Sequence, residues 1–222
     1  MDKASKASKA STMRQMDECG AVAVIRVGSA DSLLRVSQAL QAGGLNCVEI
    51  AMTTPGALRA IEEVAERLRD VHIGAGTVLD GVTARQAILA GAEFLVSPTV
   101  ERDVIEMAHR YGKVMICGAM TPTEILNAWE AGAEFVKVFP AEILGPQYLK
   151  AIGGPLPQIR LVPTGGVTAE NAGDFVRAGA AMVCAGSWLL DGKAIAQGRY
   201  AAITRRARQL MEAVRTARSE VG

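Results

Sequence analysis

The chain has 222 residues, with 24 Lys and Arg against 23 Asp and Glu; half its residues are hydrophobic and 4% are aromatic. No stretch concentrates basic charge, no apolar run reaches membrane-spanning length, and the opening residues lack a signal-peptide core, which argues against nucleic acid and membrane as partners. The length suits one domain, and the aliphatic bias is that of parallel strands buried on both faces. Cys19, Cys47, Cys117 and Cys184 form no CxxC pair, and three of them sit inside apolar runs, so buried free thiols are expected in place of disulfides. His72 and His109 stand far apart, and no His-rich metal site is expected.

The opening MDKASKASKAST reads as a solvated tail leading into a short helix that ends near Cys19 and Gly20. From Ala21 one pattern recurs about every 20 to 25 residues: a short apolar run, a polar or glycine-rich loop, then an amphipathic stretch. The runs are AVAVIR (21–26), CVEIA (47–51), VHIGAG (71–76), EFLVS (93–97), VMICG (114–118), EFVKVF (134–139), IRLVP (159–163) and MVCAG (182–186). Helical stretches between them often close in AGA or GA, where glycine supplies a left-handed turn. Pro55 and Pro122 fit first helical turns, and the last helix is expected from roughly Ala194 to Arg218. Eight alternating strand–helix units predict an α/β single-domain (β/α)8 TIM barrel over 21–222, with residues 1–20 as a tail and short helical extension. The structural rival is a doubly wound open sheet, but no GxGxxG follows the first strand.

Chemistry in such barrels sits at the C-terminal strand ends. The polar residues of these runs gather there: Arg26, Glu49, Thr77, Ser97-Pro98, Lys137, Thr164 and Ser187. Alternation gives Phe135, Lys137 and Phe139 one face and Val136 and Val138 the other, so the lysine points into the barrel. An unpaired buried ammonium costs several kcal/mol, and desolvation turns an amine toward nucleophilic chemistry with a carbonyl. The alternative is a lysine stretched out of the barrel mouth. Glu49 shares the inward face of its strand with Cys47 and Ala51; it suits proton shuttling, or pairing with Lys137, or both. PTGG (163–166) and AGS (185–187) lie where the loops after strands 7 and 8 often hold phosphate.

Together these residues resemble the 2-keto-3-deoxy-6-phosphogluconate (KDPG) aldolase / 4-hydroxy-2-oxoglutarate aldolase family. The likeness runs from about Val22 to the last helix, through VEI (48–50), IGAGTVL (73–79), SPTV (97–100), MTPTEI (120–125), EFVKVFPAE (134–142), GPQYLKAI (145–152), PTGGV (163–167) and AGSWL (185–189). The resemblance implies that Lys137 forms an imine and Glu49 moves protons. It also implies that Thr77, Pro98 and Phe139 surround the pyruvate end, while Thr164, Gly165, Gly166, Gly186 and Ser187 take the substrate chain and phosphate. It further implies a cytoplasmic homotrimer with no metal or organic cofactor. The substrate would be a phosphorylated keto acid giving pyruvate and glyceraldehyde 3-phosphate, or a shorter keto acid giving glyoxylate.

Two positions depart from the pattern. Thr53, on the substrate side, stands where many members carry an arginine for the substrate carboxylate, and Arg26 at the end of strand 1 is expected to take that role. Cys117-Gly118 stands where Pro-Gly is usual. The galactonate epimer of the substrate remains an alternative, since GPQY and the missing arginine resemble that branch, while Thr164 favours the gluconate form. Other rivals are a sugar-phosphate epimerase, a thiamine-phosphate synthase, or an aldolase-derived trimeric scaffold engineered for assembly.

Overall fold

The computed structural model describes residues 8–27 and 32–221. Helix α1 (Lys9–Cys19) precedes eight strands: β1 (Ala21–Ile25), β2 (Cys47–Ala51), β3 (His72–Gly76), β4 (Phe94–Val96), β5 (Val114–Ala119), β6 (Phe135–Val138), β7 (Leu161–Pro163) and β8 (Val183–Ala185). The intervening helices are α2 (Leu33–Ala42), α3 (Ala57–Arg67), α4 (Gly81–Ala90), α5 (Arg102–Arg110), α6 (Pro122–Glu130), α7 (Ala141–Gly153) and α8 (Ala169–Arg177). After β8 come α9 (Gly192–Ala196) and α10 (Tyr200–Val221). All neighbouring strands pair in parallel, in the order β7-β6-β5-β4-β3-β2-β1-β8, and a single bridge from Thr164 to Cys184 joins the two ends of the sheet. The fold is an α/β TIM barrel with an N-terminal helix, as the eight-fold alternation predicted. No helix among the described residues is long and apolar enough to cross a membrane.

Strand alternation sorts the core into two parts. Val48, Ile50, Val136 and Val138 face the helical layer, while Val22, Cys47, Phe94, Val96, Ile116, Phe135 and Val162 fill the barrel interior. Met16 of α1 joins the interior group and is fully buried. Polar contacts hold α1 at that end: Lys9 pairs with Glu134, Asp17 pairs with Arg160, and Arg218 donates to the Asp17 carbonyl. The Thr12 hydroxyl lies 3.5 Å from the Glu93 carboxylate, which also takes His72 at 2.7 Å.

Local expectations fail at three places. The helix begins at Lys9, inside the stretch read as tail, because Ser8 caps it by accepting from the Ser11 N–H at 3.1 Å; residues 1–7 lie outside the described residues. Pro55 is no first-turn residue, since α3 starts at Ala57 after Gly56 takes a left-handed conformation, φ 77°. Pro122 does open α6, behind a capping box made by Thr121 and Glu124. The last helix is two, because Gly198 at φ 67° breaks the chain between α9 and α10. The AGA closures behave as expected, with Gly91 and Gly132 both left-handed. All four cysteines are free thiols.

Because Met16 fills the bottom of the barrel, Met16→Ala should lower unfolding free energy by about 2–5 kcal/mol, the usual range for emptying such a site. Urea denaturation of the two proteins measures it; a change below about 0.5 kcal/mol, the level of a surface substitution, would show that α1 does not contribute to the core.

Candidate active site

The ends of six strands, β1, β3, β4, β6, β7 and β8, line a pocket of about 540 Å³ at the C-terminal mouth of the barrel. Its lining includes Arg26, Thr77, Pro98, Lys137, Phe139, Thr164, Gly165, Gly166, Gly186 and Ser187, ten of the twelve residues picked from sequence. Glu49 is an eleventh in effect: it does not line the pocket but lies beneath it, 1% exposed. Thr53 is the exception, exposed on the turn after β2 and outside the lining. Val24, Val167 and Leu190 complete the wall and were missed. For Val24 the signal was present, since it alternates inward with Val22 and Arg26 along β1.

Lys137 and Glu49 sit on β6 and β2, which face each other across an eight-stranded barrel. Lys137 is 7% exposed, and its Nζ lies 5.3 Å from the centre of the Phe139 ring at the pocket mouth. Phe135, two residues earlier, is buried below and receives the Arg160 guanidinium at 4.1 Å. Burial pushes the Glu49 carboxyl above the ordinary carboxylate range, while the positive charges of Lys137 and Arg26 pull it back. Its Oε2 is buried without a hydrogen-bond partner. Cys184 on β8 feels the same pair: burial and the Glu49 charge push its thiol up to about 12. These side chains therefore form one electrostatic unit in the barrel interior.

The rim is tied separately. Arg26 donates from Nη2 to the Thr77 hydroxyl at 3.2 Å, linking the ends of β1 and β3 above Glu49. Thr77 is the one non-glycine residue with positive φ among the described residues, at 56°, a conformation that costs of order 1–3 kcal/mol and concentrates at functional positions. Pro98 reaches the pocket because Ser97 is buried and donates to the Thr99 carbonyl at 2.7 Å, shaping the turn. The Cys117 thiol contacts that turn as well, 3.6 Å from the Thr99 carbonyl, so the departure from Pro-Gly is absorbed in packing. On the adjoining rim Gly165 and Gly166, both left-handed, follow β7, and Gly186 and Ser187 follow its neighbour β8, which pairs with β1. Among the described residues no group of three or more His, Cys, Asp or Glu could hold a metal ion.

A family model described as KDPG and KHG aldolase matches residues 12–206. The 2-dehydro-3-deoxy-phosphogluconate aldolase of Pseudomonas aeruginosa is 36% identical over 190 residues, 85% of this chain and 86% of that protein. The chain belongs to the KDPG and KHG aldolase family. Two solved structures agree with that placement. A native KDPGal structure superposes with a TM-score of 0.83 at 32% identity, covering 90% of this chain and 96% of that one. The KDPG aldolase of Legionella pneumophila, with pyruvate captured at low pH as a covalent carbinolamine, does so with a TM-score of 0.83 at 29% identity, covering 90% and 97%.

Two predictions follow from the geometry of this aldolase site. A carboxyl whose folded-state pKa is raised favours folding below its unfolded value, and that contribution is lost as pH rises through the folded value. Glu49→Gln should therefore stabilise the chain at pH 8 by on the order of 1 kcal/mol and leave stability at pH 4 nearly unchanged. Urea midpoints at the two pH values give the comparison, and equal shifts at both would contradict it. Arg26→Ala should weaken binding of pyruvate by about tenfold or more, the loss of one charged hydrogen bond. Arg102→Ala, an exposed residue on α5, is the control; equal small effects would leave Arg26 a strand-end charge.

Proposed function

We propose that this chain is a class I aldolase that cleaves 2-dehydro-3-deoxy-6-phosphogluconate to pyruvate and glyceraldehyde 3-phosphate, with Lys137 as the imine-forming residue. The observation that carries this reading is a lysine almost wholly buried on an inward strand face, opposite a buried carboxylate and opening onto a 540 Å³ pocket. Such an amine, when neutral, adds to the C2 ketone to give a carbinolamine. Loss of water, with protons moved by Glu49, leaves an iminium. A base, Glu49 or a water it orients, then takes the C4 hydroxyl proton. The C3–C4 bond breaks, its electrons pass into the iminium to give an enamine, and the aldehyde departs. Protonation of the enamine at C3 and hydrolysis of the imine release pyruvate and return Lys137.

The remaining assignments share this logic. Arg26 and Thr77 form a polar corner of the pocket that Lys137 also lines, suited to the substrate carboxylate, while Pro98 and Phe139 supply apolar walls for the pyruvate methyl. Thr164, Gly165 and Gly166, with Gly186 and Ser187, stand together on the adjoining β7–β8 rim and suit the substrate chain and its phosphate. Thr53 lies outside the pocket and keeps no substrate role in this reading. Two further assignments rest on family likeness: action in the cytoplasm and assembly as a homotrimer. Val82 and Ile143, each 71% exposed, are the most exposed large apolar side chains among the described residues, and they suit burial between copies.

Incubation with pyruvate and borohydride should reduce the imine to a stable secondary amine, abolish activity and place the adduct on Lys137. Lys150 and Lys193 are exposed and Lys113 precedes β5 at the far end of the barrel, so they should stay unlabelled. Lys137→Arg keeps the charge but lacks the nucleophile, and trapping should vanish. Labelling that persists there, or maps to another lysine, would sink the assignment. Assays with the gluconate and galactonate epimers and the shorter keto acid decide the substrate: a preference of about tenfold or more for the galactonate form, some 1.4 kcal/mol, would overturn the gluconate reading.

A further inference from the structure

We propose that Gly76 is a positioning residue for Glu49: the bare backbone at the end of β3 is the recess that seats the carboxylate beneath the pocket, and any side chain there would drive it out. The inference rests on the reading of Glu49 as the proton carrier.

The glycine is not there for its backbone. Gly76 is the last residue of β3 and is absent from the positive-φ positions, so an L-residue could adopt its conformation. Space is the constraint. A Cβ on Gly76 would lie 1.7 Å from Glu49 Oε1, 2.3 Å from Cδ and 2.5 Å from Cγ. Three successive atoms of the glutamate thus occupy the space a Cβ would need, and rotating the carboxylate alone would not clear the Cγ contact. The glutamate has little room to retreat, being 1% exposed within the packed barrel.

Nor does a hydrogen bond hold the other oxygen, since Oε2 has no partner. The carboxylate is placed by shape on one side and by the charges of Lys137 and Arg26 on the other. The same device occurs one pleat earlier. A Cβ on Gly74 would meet the Phe94 ring at 2.3 Å, so β3 gives its inward space to neighbours at two successive levels. Gly74 makes room for a hydrocarbon floor, and Gly76 for the group above it.

The test is an unfolding cycle with an activity arm. Urea midpoints are measured for the parent, Gly76→Ala, Glu49→Ala and the double variant, all as full-length chains. Gly76→Ala should lower the midpoint of the parent clearly and that of Glu49→Ala little, because the vacated space takes the methyl. In the activity arm, Gly76→Ala should cut kcat by about 100-fold, the scale of acid–base assistance, with KM changed by less than about 3-fold, under 1 kcal/mol. The acid limb of its kcat–pH profile should also move, a shift that damage elsewhere would not produce.

Equal loss of midpoint in both backgrounds would overturn the proposal, as would a folded Gly76→Ala with parental kcat and pH limb. If Gly76→Ala does not fold, a folded double variant supports the recess, and an unfolded one refutes it. The cycle needs no catalysis. A parent that forms no pyruvate adduct therefore refutes the aldolase reading, while the cycle still decides whether Gly76 makes room for Glu49.

Discussion

A buried carboxylate with one oxygen left without a hydrogen-bond partner, facing a buried lysine across the lumen of a barrel, is the arrangement around which the rest of this molecule is organised. Removing such charges from water costs several kcal/mol for each, and mutual attraction offsets that only in part. The chain meets the cost with a packed aliphatic barrel. Phe94, Phe135 and Val162 fill the interior beneath the pair, and Met16 of the N-terminal helix fills it at the bottom. The polar groups are thereby confined to the uppermost layer, under a pocket open at one end.

That confinement gives the site its electrostatics. Burial and the Lys137 and Arg26 charges act on Glu49 in opposite directions, and Cys184 responds to the same charges from β8. A proton carrier works best when its pKa lies near working pH, and a carboxyl raised by burial moves that way. The rim adds a separate constraint. Thr77 is held in a left-handed conformation with its hydroxyl on Arg26, so the polar corner is preformed and not assembled by ligand. In the proposed cleavage the substrate has two ends, a carboxylate with its ketone and a distal phosphate, which would divide between the β1–β3 rim and the adjoining β7–β8 rim.

The family's architecture survives at about one-third identity because the constraints are local and repeated. Each unit needs an apolar strand and an amphipathic helix, which many sequences satisfy. The two charged residues must fall on inward strand faces at matching depth, which few do. Where position matters less, this chain differs. Cys117 replaces the expected proline and contacts the Thr99 turn through its thiol, and Thr53, in the usual arginine position, lies on an exposed turn outside the pocket.

Much of this was legible from the sequence, for one reason: strand alternation has a period of two, so identity along a strand specifies its face. Val48 and Ile50 went outward and Glu49 inward, and Phe135 and Lys137 shared a face, as alternation requires. Element ends were less legible, because they depend on single residues whose conformation is set in three dimensions. Gly198 broke the last helix, Ser8 started the first one early, and Pro55 stayed outside α3. The sequence by itself therefore determined the eight-fold repeat, the inward lysine and the inward glutamate. Only the tertiary structure decided that β2 and β6 stand opposite each other, that Glu49 lies under the pocket and not in its wall, and that Gly76 gives it space. Those are distances between residues remote in the chain, and no local pattern encodes them.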